Sequence, residues 1–520
     1  MPALSRKENQ EPIAYIHSKK ADVFAKKFFP TPKADLTDIP EQWDIETERP
    51  GQRLKVTRAV TREDVEEVIK ATSPWKAPGT DRLPSGILKA CGPPLWTDLA
   101  RLAEASLATG HFPRRFRVAE IAVIPKANKT KKEKAMAGGW RPIALLNATG
   151  KVIETIVAHR LAAAAEANDL LPEEQMGNRK ERSTELAIRL VTDTTRIAWT
   201  RNAVATMLQL DFTGAFDTVD HKRLLHTMWS MNLPRWLLKW LKSYLSDRTV
   251  RLRFDDEISA QKPVQAGVPQ GSPLSPILFL IYLASLYATL KEQHPQLLTV
   301  GFADDTNILA FGRDVEQNCS RLKEAWTIST AWAETRGMCF NPKKSVLMHF
   351  SPRKKAYLQP IQLDGIEIRP KEAARFLGVY LDRRLTWAAH SDYLTRKLES
   401  QKPALTKLAS SAWGCSVAKA RQIYTMVIRS TMAFGATVWH KPGEQPRGIA
   451  KKLGKQQEEC LKRVCGAYKG TPQELMESEV DIPLIDLYLS RRITEFKTRL
   501  IITGKGEILK KAYKAVDYGL

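Results

Sequence analysis

The sequence predicts an α+β fold, in which antiparallel hairpins and helices interleave, and not a doubly wound parallel sheet. Three observations carry this. Residues 297–311 read as two apolar runs, Leu297-Leu298 with Val300 and then Ile308 to Phe311, on either side of a tight turn at Ala303-Asp304-Asp305. Residues 206–225 read strand, loop, helix: Met207 to Leu210, then Asp211-Phe212, then a helix from about Phe216. After residue 380 the chain turns helical, with Trp413, Tyr424 and Trp439 set in amphipathic segments, where both tryptophans are expected to serve as core.

The remaining elements follow in order. Ile13 to Phe29 reads as a helix and leads into a linker marked by Pro30, Pro32 and Pro40. Thr61 to Thr72 is an amphipathic helix opened by Thr61 and Asp64, the spacing at which side chain and backbone cap each other. It ends in the loop Ser73-Pro74-Trp75-Lys76-Ala77-Pro78-Gly79. Helices are predicted across 86–109, broken by Pro93-Pro94, and across 148–168, with a basic strand and loop from Ala119 to Pro142 between them. Residues 264–290 read as a loop and then an apolar helix, opened by Pro273-Leu274-Ser275-Pro276. There are no internal repeats.

With 520 residues and 43% hydrophobic content, the chain is long enough for two or more cored domains. Lys plus Arg number 81 against 57 Asp plus Glu, and this excess of +24 is spread along the chain. That distribution favours a polyanionic partner, and nucleic acid is the expected one. Lys129, Lys131, Lys132 and Lys134 form a basic loop; Arg353, Lys354, Lys355 and the later group Lys451, Lys452, Lys455, Lys462, Arg463 supply further phosphate contacts. The six cysteines show no C-x-x-C spacing, so a zinc knuckle is not predicted and reduced thiols are. No apolar run approaches the ~18 residues of a membrane span. Met1 to Gln10 lacks a hydrophobic core, and Glu8 and Glu11 argue against a mitochondrial presequence. The expected location is intracellular, nuclear or cytoplasmic, with the mitochondrion as the alternative.

The chemistry concentrates at Val300-Gly301-Phe302-Ala303-Asp304-Asp305. Adjacent carboxylates repel unless something neutralises them. On a buried hairpin the usual neutraliser is a hard divalent cation, and magnesium prefers one or two carboxylates completed by phosphate oxygens. A second carboxylate on another strand is needed for a two-metal site, and Asp211 ends an apolar strand 93 positions earlier. Asp211 and Asp304 would bridge two ions, the Phe212 carbonyl would complete one shell, and Asp305 would assist one ion or orient the turn. Asp217 and Asp220 read as capping or surface residues. Between the carboxylate blocks lies Gln265-Ala266-Gly267-Val268-Pro269-Gln270-Gly271-Ser272-Pro273-Leu274-Ser275-Pro276, whose glycines allow close backbone approach.

These blocks, in this order, resemble the catalytic motifs of reverse transcriptases, specifically those of LINE-type (non-LTR) retrotransposons. The resemblance runs from about Trp75 to about His390. It is carried also by Trp75 to Asp81, Ile124-Pro125-Lys126, Trp140 to Asn147, Gln175-Met176-Gly177-Asn178-Arg179 with Arg182-Ser183-Thr184, Asn341-Pro342-Lys343-Lys344-Ser345, and Phe376-Leu377-Gly378-Val379 with Leu381-Asp382. Phe302 stands where the wider family commonly has Tyr, and Met176 and Asn178 depart from the usual residues around Gln175.

The resemblance implies a right-hand polymerase. Residues 1–60 would be a helical extension and linker, 61–205 fingers, 206–380 palm with an antiparallel sheet and a fingers insertion at about 222–262, 381–450 a helical thumb, and 451–520 a C-terminal helical connection. Lys126 and Arg141 would hold the triphosphate. Phe216 would sit under the sugar and collide with a ribose 2′-hydroxyl. Gln270 and Gly271 would shape the nucleotide pocket and contact the template. Lys344, with Lys343 as its competitor, would protonate pyrophosphate. Phe376, Leu377 and Gly378 would form the primer grip. The implied cofactors are two magnesium ions, with manganese as a substitute, and the partners are an RNA template, a DNA primer and deoxynucleoside triphosphates, with no membrane. The expected activity is RNA-directed DNA synthesis by a polymerase segment of a longer element. The rival readings are a catalytically silent nucleic-acid-binding remnant, a group II intron-type reverse transcriptase with maturase function, and an RNA-dependent RNA polymerase.

Overall fold

A computed structural model describes residues 1–4, 14–49, 51–127, 129–409, 414–443 and 448–519. Trp413 lies outside the described residues. The strands are β1 (Val118–Pro125), β2 (Trp140–Leu145), β3 (Val204–Leu210), β4 (Thr249–Phe254), β5 (Glu257–Ile258), β6 (Lys262–Pro263), β7 (Leu298–Phe302), β8 (Asp305–Gly312), β9 (Val346–Phe350), β10 (Ile361–Leu363), β11 (Ile366–Ile368), β12 (Ala373–Phe376) and β13 (Val379–Asp382). The fold is α+β, as the hairpin pattern predicts, and the chain divides into two compact units, each assembled from three separate segments.

The first unit comprises Met1–Asn178, Asp211–Leu290 and Thr327–Asn341. Its sheet runs β2-β1-β4-β5, with β6 also on β4. β1 and β2 form an antiparallel hairpin in which Ile124 faces Arg141. β1 and β4 are parallel, with Ile121 opposite Leu252, a pairing the hairpin pattern does not anticipate. The helix His17–Phe28 lays Phe24 against this sheet, edge-on to Trp140 and Phe254. The helix Arg62–Ala71 is closed by the expected reciprocal cap of Thr61 and Asp64. It buries Val65, Val68 and Ile69 against Trp96, Leu99, Val152 and Ile156.

Two expectations need correction here. Residues 86–109 form two helices, Ser85–Ala90 and Gly92–Thr109, and the prolines fall in the first turn of the second. Pro is tolerated there because that N–H has no helical partner, so the prolines start a helix and do not break one. The lysines after residue 128 do not form an open loop. Lys131–Lys134 is a helical turn capped reciprocally by Thr130 and Glu133, and Lys129 pairs with Glu133 at 2.6 Å. These contacts, led by the Lys129 bond, hold the Glu133 carboxyl down at about 2.

The second unit comprises Arg179–Leu210, Lys291–Trp326 and Pro342–Leu520. Its sheet is antiparallel throughout, in the order β7-β8-β3-β9. β3 is the inner strand and is buried along nearly its whole length, in keeping with a sequence that is apolar at every position but Thr206 and Gln209. The buried amide of Asn318 donates to the Val204 carbonyl at 3.0 Å. The short hairpins β10-β11 and β12-β13 follow. The helices after residue 387 include Ala388–Leu408, Gly448–Cys465 and Ile485–Ile502. Trp439 is buried, in keeping with a core role, and the Tyr424 hydroxyl donates to Gln457 at 2.7 Å within this core. Among the described residues no helix is long and apolar enough to cross a membrane.

Candidate catalytic and nucleotide-binding residues

Strand register sets the Asp304-Asp305 corner at one end of a sheet. β7 and β8 close with Phe302 opposite Asp305, so Ala303-Asp304 is a two-residue loop. Such loops take turns with positive φ, because that twist matches the strands. Ala303 accordingly sits at φ 56, a left-handed conformation that costs a non-glycine residue about 1 kcal/mol or more. β3 runs antiparallel to β8 with Leu210 opposite Thr306. β3 therefore ends beside the loop, and Asp211 is the next residue in the chain. Asp304 and Asp305 are exposed.

Within the first unit, residues 211–213 pair with 339–341. The Asn341 N–H donates to the Asp211 carbonyl and the Thr213 N–H to the Cys339 carbonyl, both at 2.9 Å. The Phe212 carbonyl lies outside this ladder, at the non-hydrogen-bonded position opposite Phe340. The Phe212 and Phe340 rings meet at 4.1 Å and anchor the segment. Pro342–Lys344 then makes a short 3-10 turn that exposes Lys343 and Lys344.

The helix expected from Phe216 starts later. Ala215–Asp217 is a single 3-10 turn, and the helix His221–Ser230 begins after it, capped by Asp220. The turn leaves Phe216 half-buried with one face stacked on Phe279 at 4.6 Å. The strap 266–271 is fastened to this turn. The Gly267 and Val268 N–H groups donate to the Val219 and Phe216 carbonyls at 2.8 Å, and His221 Nε2 meets the Gly267 carbonyl at 2.8 Å. At its other end the strap reaches β2, where the Ala144 N–H donates to the Gln270 carbonyl at 2.7 Å. Gly271 follows at φ 140, and a Cβ there would lie 2.4 Å from the Ala144 oxygen. Only glycine fits that approach.

Lys126 and Arg141 belong to the same unit. Lys126 Nζ donates to the Gly138 carbonyl at 2.9 Å, and Arg141 is exposed on β2. In the second unit, Phe376 ends β12 and Leu377-Gly378 forms the hairpin turn, at φ 45 and 92. The register Phe376 opposite Val379 makes it another two-residue loop.

Comparison with known proteins bears on these motifs. Residues 124–381 match the family described as reverse transcriptase (RNA-dependent DNA polymerase). The chain carries a reverse transcriptase domain. It is 28% identical over 466 residues to the RNA-directed DNA polymerase from mobile element jockey of Drosophila melanogaster, covering 87% of this chain and 49% of that protein. It is 29% identical over 316 residues to the retrovirus-related Pol polyprotein from type-1 retrotransposable element R2 of Popillia japonica, covering 58% of this chain and 42% of that one. The matched domain is thus related to the reverse transcriptases of non-LTR retrotransposons. The chain spans about half the length of the curated relatives it matches. The solved structure of apo telomerase from Candida tropicalis aligns with a TM-score of 0.37 at 15% identity, covering 86% of this chain and 78% of that one.

Reverse transcriptases generally use divalent metal ions. Among the described residues no cluster of three or more His, Cys, Asp or Glu side chains is arranged to hold one. Asp211, Asp304, Asp305 and the Phe212 carbonyl offer only hard oxygen donors, the set that suits magnesium, and too few for a closed cage. That composition fits an ion whose remaining ligands are water and substrate phosphate.

Two features of the first unit are not legible in the sequence. Asp217 is neither cap nor plain surface, because Gln270 Nε2 donates to its Oδ1 at 2.7 Å. Glu154, fully buried on the helix Ala148–Ala167, accepts from Ser272 Oγ, which in turn accepts from the Tyr244 hydroxyl at 3.0 Å and the Leu274 N–H at 3.1 Å. Burial pushes the Glu154 carboxyl up. The readable signal was a lone carboxylate between Ile153 and Ile156 in an apolar helix.

Proposed function

We propose that this chain is an RNA-directed DNA polymerase of a non-LTR retroelement, organised as a right hand with the fingers, palm and thumb boundaries given above. The observation that supports this best is the β7-β8-β3 register, which sets the Asp304-Asp305 corner beside the strand end that leads into Asp211. In this reading Asp211, Asp304, Asp305 and the Phe212 carbonyl hold two magnesium ions, which supply Lewis-acid stabilisation to the oxygens of an in-line displacement when bound.

The primer 3′-hydroxyl oxygen attacks the α-phosphorus of a deoxynucleoside triphosphate. The new P–O bond forms as the bond to pyrophosphate breaks, and the hydroxyl proton leaves to solvent. Lys344, or its neighbour Lys343, donates a proton to the departing pyrophosphate. Lys126 and Arg141 pair with the triphosphate oxygens. Phe216, held by Phe279, bars a 2′-hydroxyl. Phe376, Leu377 and Gly378 hold the primer strand. RNA is the template and DNA the primer.

The test is extension of oligo(dT) on poly(rA) with dTTP and magnesium, beside an Asp304→Asn, Asp305→Asn double variant. Extension by the wild type alone supports the reading. A folded wild type that binds the duplex and extends nothing supports the silent-remnant reading instead.

A further inference from the structure

We propose that Asp217 is a positioning residue that fixes the orientation of the Gln270 amide, and thereby the hydrogen-bonding face that Gln270 offers to nucleotide and template. The proposal rests on the polymerase reading above and goes beyond it, since Asp217 is neither metal ligand nor triphosphate partner there.

Gln270 is held at two points. Its backbone carbonyl is bound by the Ala144 N–H of β2, and its side-chain Nε2 is bound by Asp217 Oδ1. The backbone of the strap is bonded to the turn that carries Asp217, through Gly267 to Val219 and Val268 to Phe216. The Gly267 α-carbon also presses on that turn, since a Cβ would come within 2.8 Å of the Asp217 carbonyl. With the backbone held, the side-chain torsions of Gln270 remain to be set, and the bond to Asp217 fixes the direction of its terminal amide. An ionised carboxylate only accepts, so it must face the amide nitrogen, and Oε1 is turned the other way as an acceptor. A protonated carboxyl can donate to Oε1, which would turn the amide over and present its nitrogen instead.

The surroundings bring this choice into the working range. Phe28, Phe29, Ile121, Pro142, Val250 and Val268 line the cavity that Asp217 and Gln270 share. Desolvation there pushes the Asp217 carboxyl up to about 7, against the Gln270 bond and the charges of Lys27 and Lys126, which pull it down. Arg248 lines the same cavity. His221, bonded to the strap, has its pKa lowered by burial. Asp220 is engaged as a helix cap.

The experiment is steady-state extension of oligo(dT) on poly(rA) from pH 6 to 8.5, with Asp217→Asn, Asp217→Ala, Gln270→Ala and the Asp217→Ala, Gln270→Ala double variant. Asn keeps an acceptor for Nε2 without titrating. Wild-type KM for dTTP is expected to rise as pH falls through about 7, and Asp217→Asn to lose that dependence while keeping the high-pH KM. Asp217→Ala raises KM about tenfold with less change in kcat. In the Gln270→Ala background the same change has less than about a twofold effect. Multiplicative effects of the two alanine changes, or an unchanged pH profile in Asp217→Asn, overturn the proposal and leave the polymerase reading standing. No extension by the wild type overturns both.

A melting series provides the readout that activity does not. A carboxyl with a raised folded pKa is destabilising when ionised, so Asp217→Asn should melt above the wild type at pH 8 and converge with it near pH 4. A constant difference across that window contradicts the assigned environment of Asp217.

Discussion

The substitution Gly271→Ala probes a tight backbone approach next to Gln270. The added methyl would lie 2.4 Å from the Ala144 oxygen, so the strap must back away by about 1 Å to reach ordinary contact. At φ 140 an alanine is itself strained, by about 1–3 kcal/mol. Retreat also breaks the 2.7 Å bond from the Ala144 N–H to the Gln270 carbonyl, a further loss of about 1 kcal/mol. The total, about 2–4 kcal/mol, can appear in two places. If the strap holds, it appears in the urea midpoint; if the strap yields, Gln270 is displaced and the KM for dTTP rises. Urea unfolding and primer extension on one preparation capture both. Gly271→Ala within about 0.5 kcal/mol of wild type and with unaltered kinetics would refute the close-approach argument.

Further outcomes follow from the same geometry. Asp211→Asn and Asp304→Asn should each lower extension by about 10³-fold or more, while Asp304→Asn, being exposed, shifts stability by no more than about 0.5 kcal/mol in urea. Phe216→Ala should admit UTP, lowering discrimination between dTTP and UTP by at least about tenfold in competition assays. Glu154→Ala strips Ser272 of its acceptor and opens a cavity, costing about 2–3 kcal/mol by denaturant titration. Glu154→Gln keeps a partner for Ser272. Because burial raises the folded-state pKa of Glu154, the ionised form is penalised, so the advantage of Gln is largest at high pH and disappears below the ordinary carboxylate range.

Local chemistry was legible in the sequence wherever a short-range rule acts alone. The Thr61-Asp64 cap, the hairpin at Ala303-Asp304 and the helix after Ser272 follow from spacing within a few residues. The pairing of β1 with β4 was not legible, because it joins segments far apart in sequence and periodicity says nothing of partners. The late start of the helix at His221 escaped because Phe216 fits an apolar helix face as well as it fits a ring stacked on Phe279. Asp217 escaped for a related reason. A carboxylate near a helix start reads as a cap, and only the folded strap brings Gln270 to it.

β3 has a consequence for how the chain is made. It sits between β8 and β9, and both partners are translated about 100 residues or more after it, at ribosomal rates of several residues per second. Throughout that interval Met207-Leu208-Gln209-Leu210 emerges with both hydrogen-bonding edges open and apolar side chains on both faces. Such a segment is a template for pairing with a neighbouring chain until its own partners arrive. Yield of folded protein should therefore depend on expression temperature and chaperone supply more than on the stability of the finished fold.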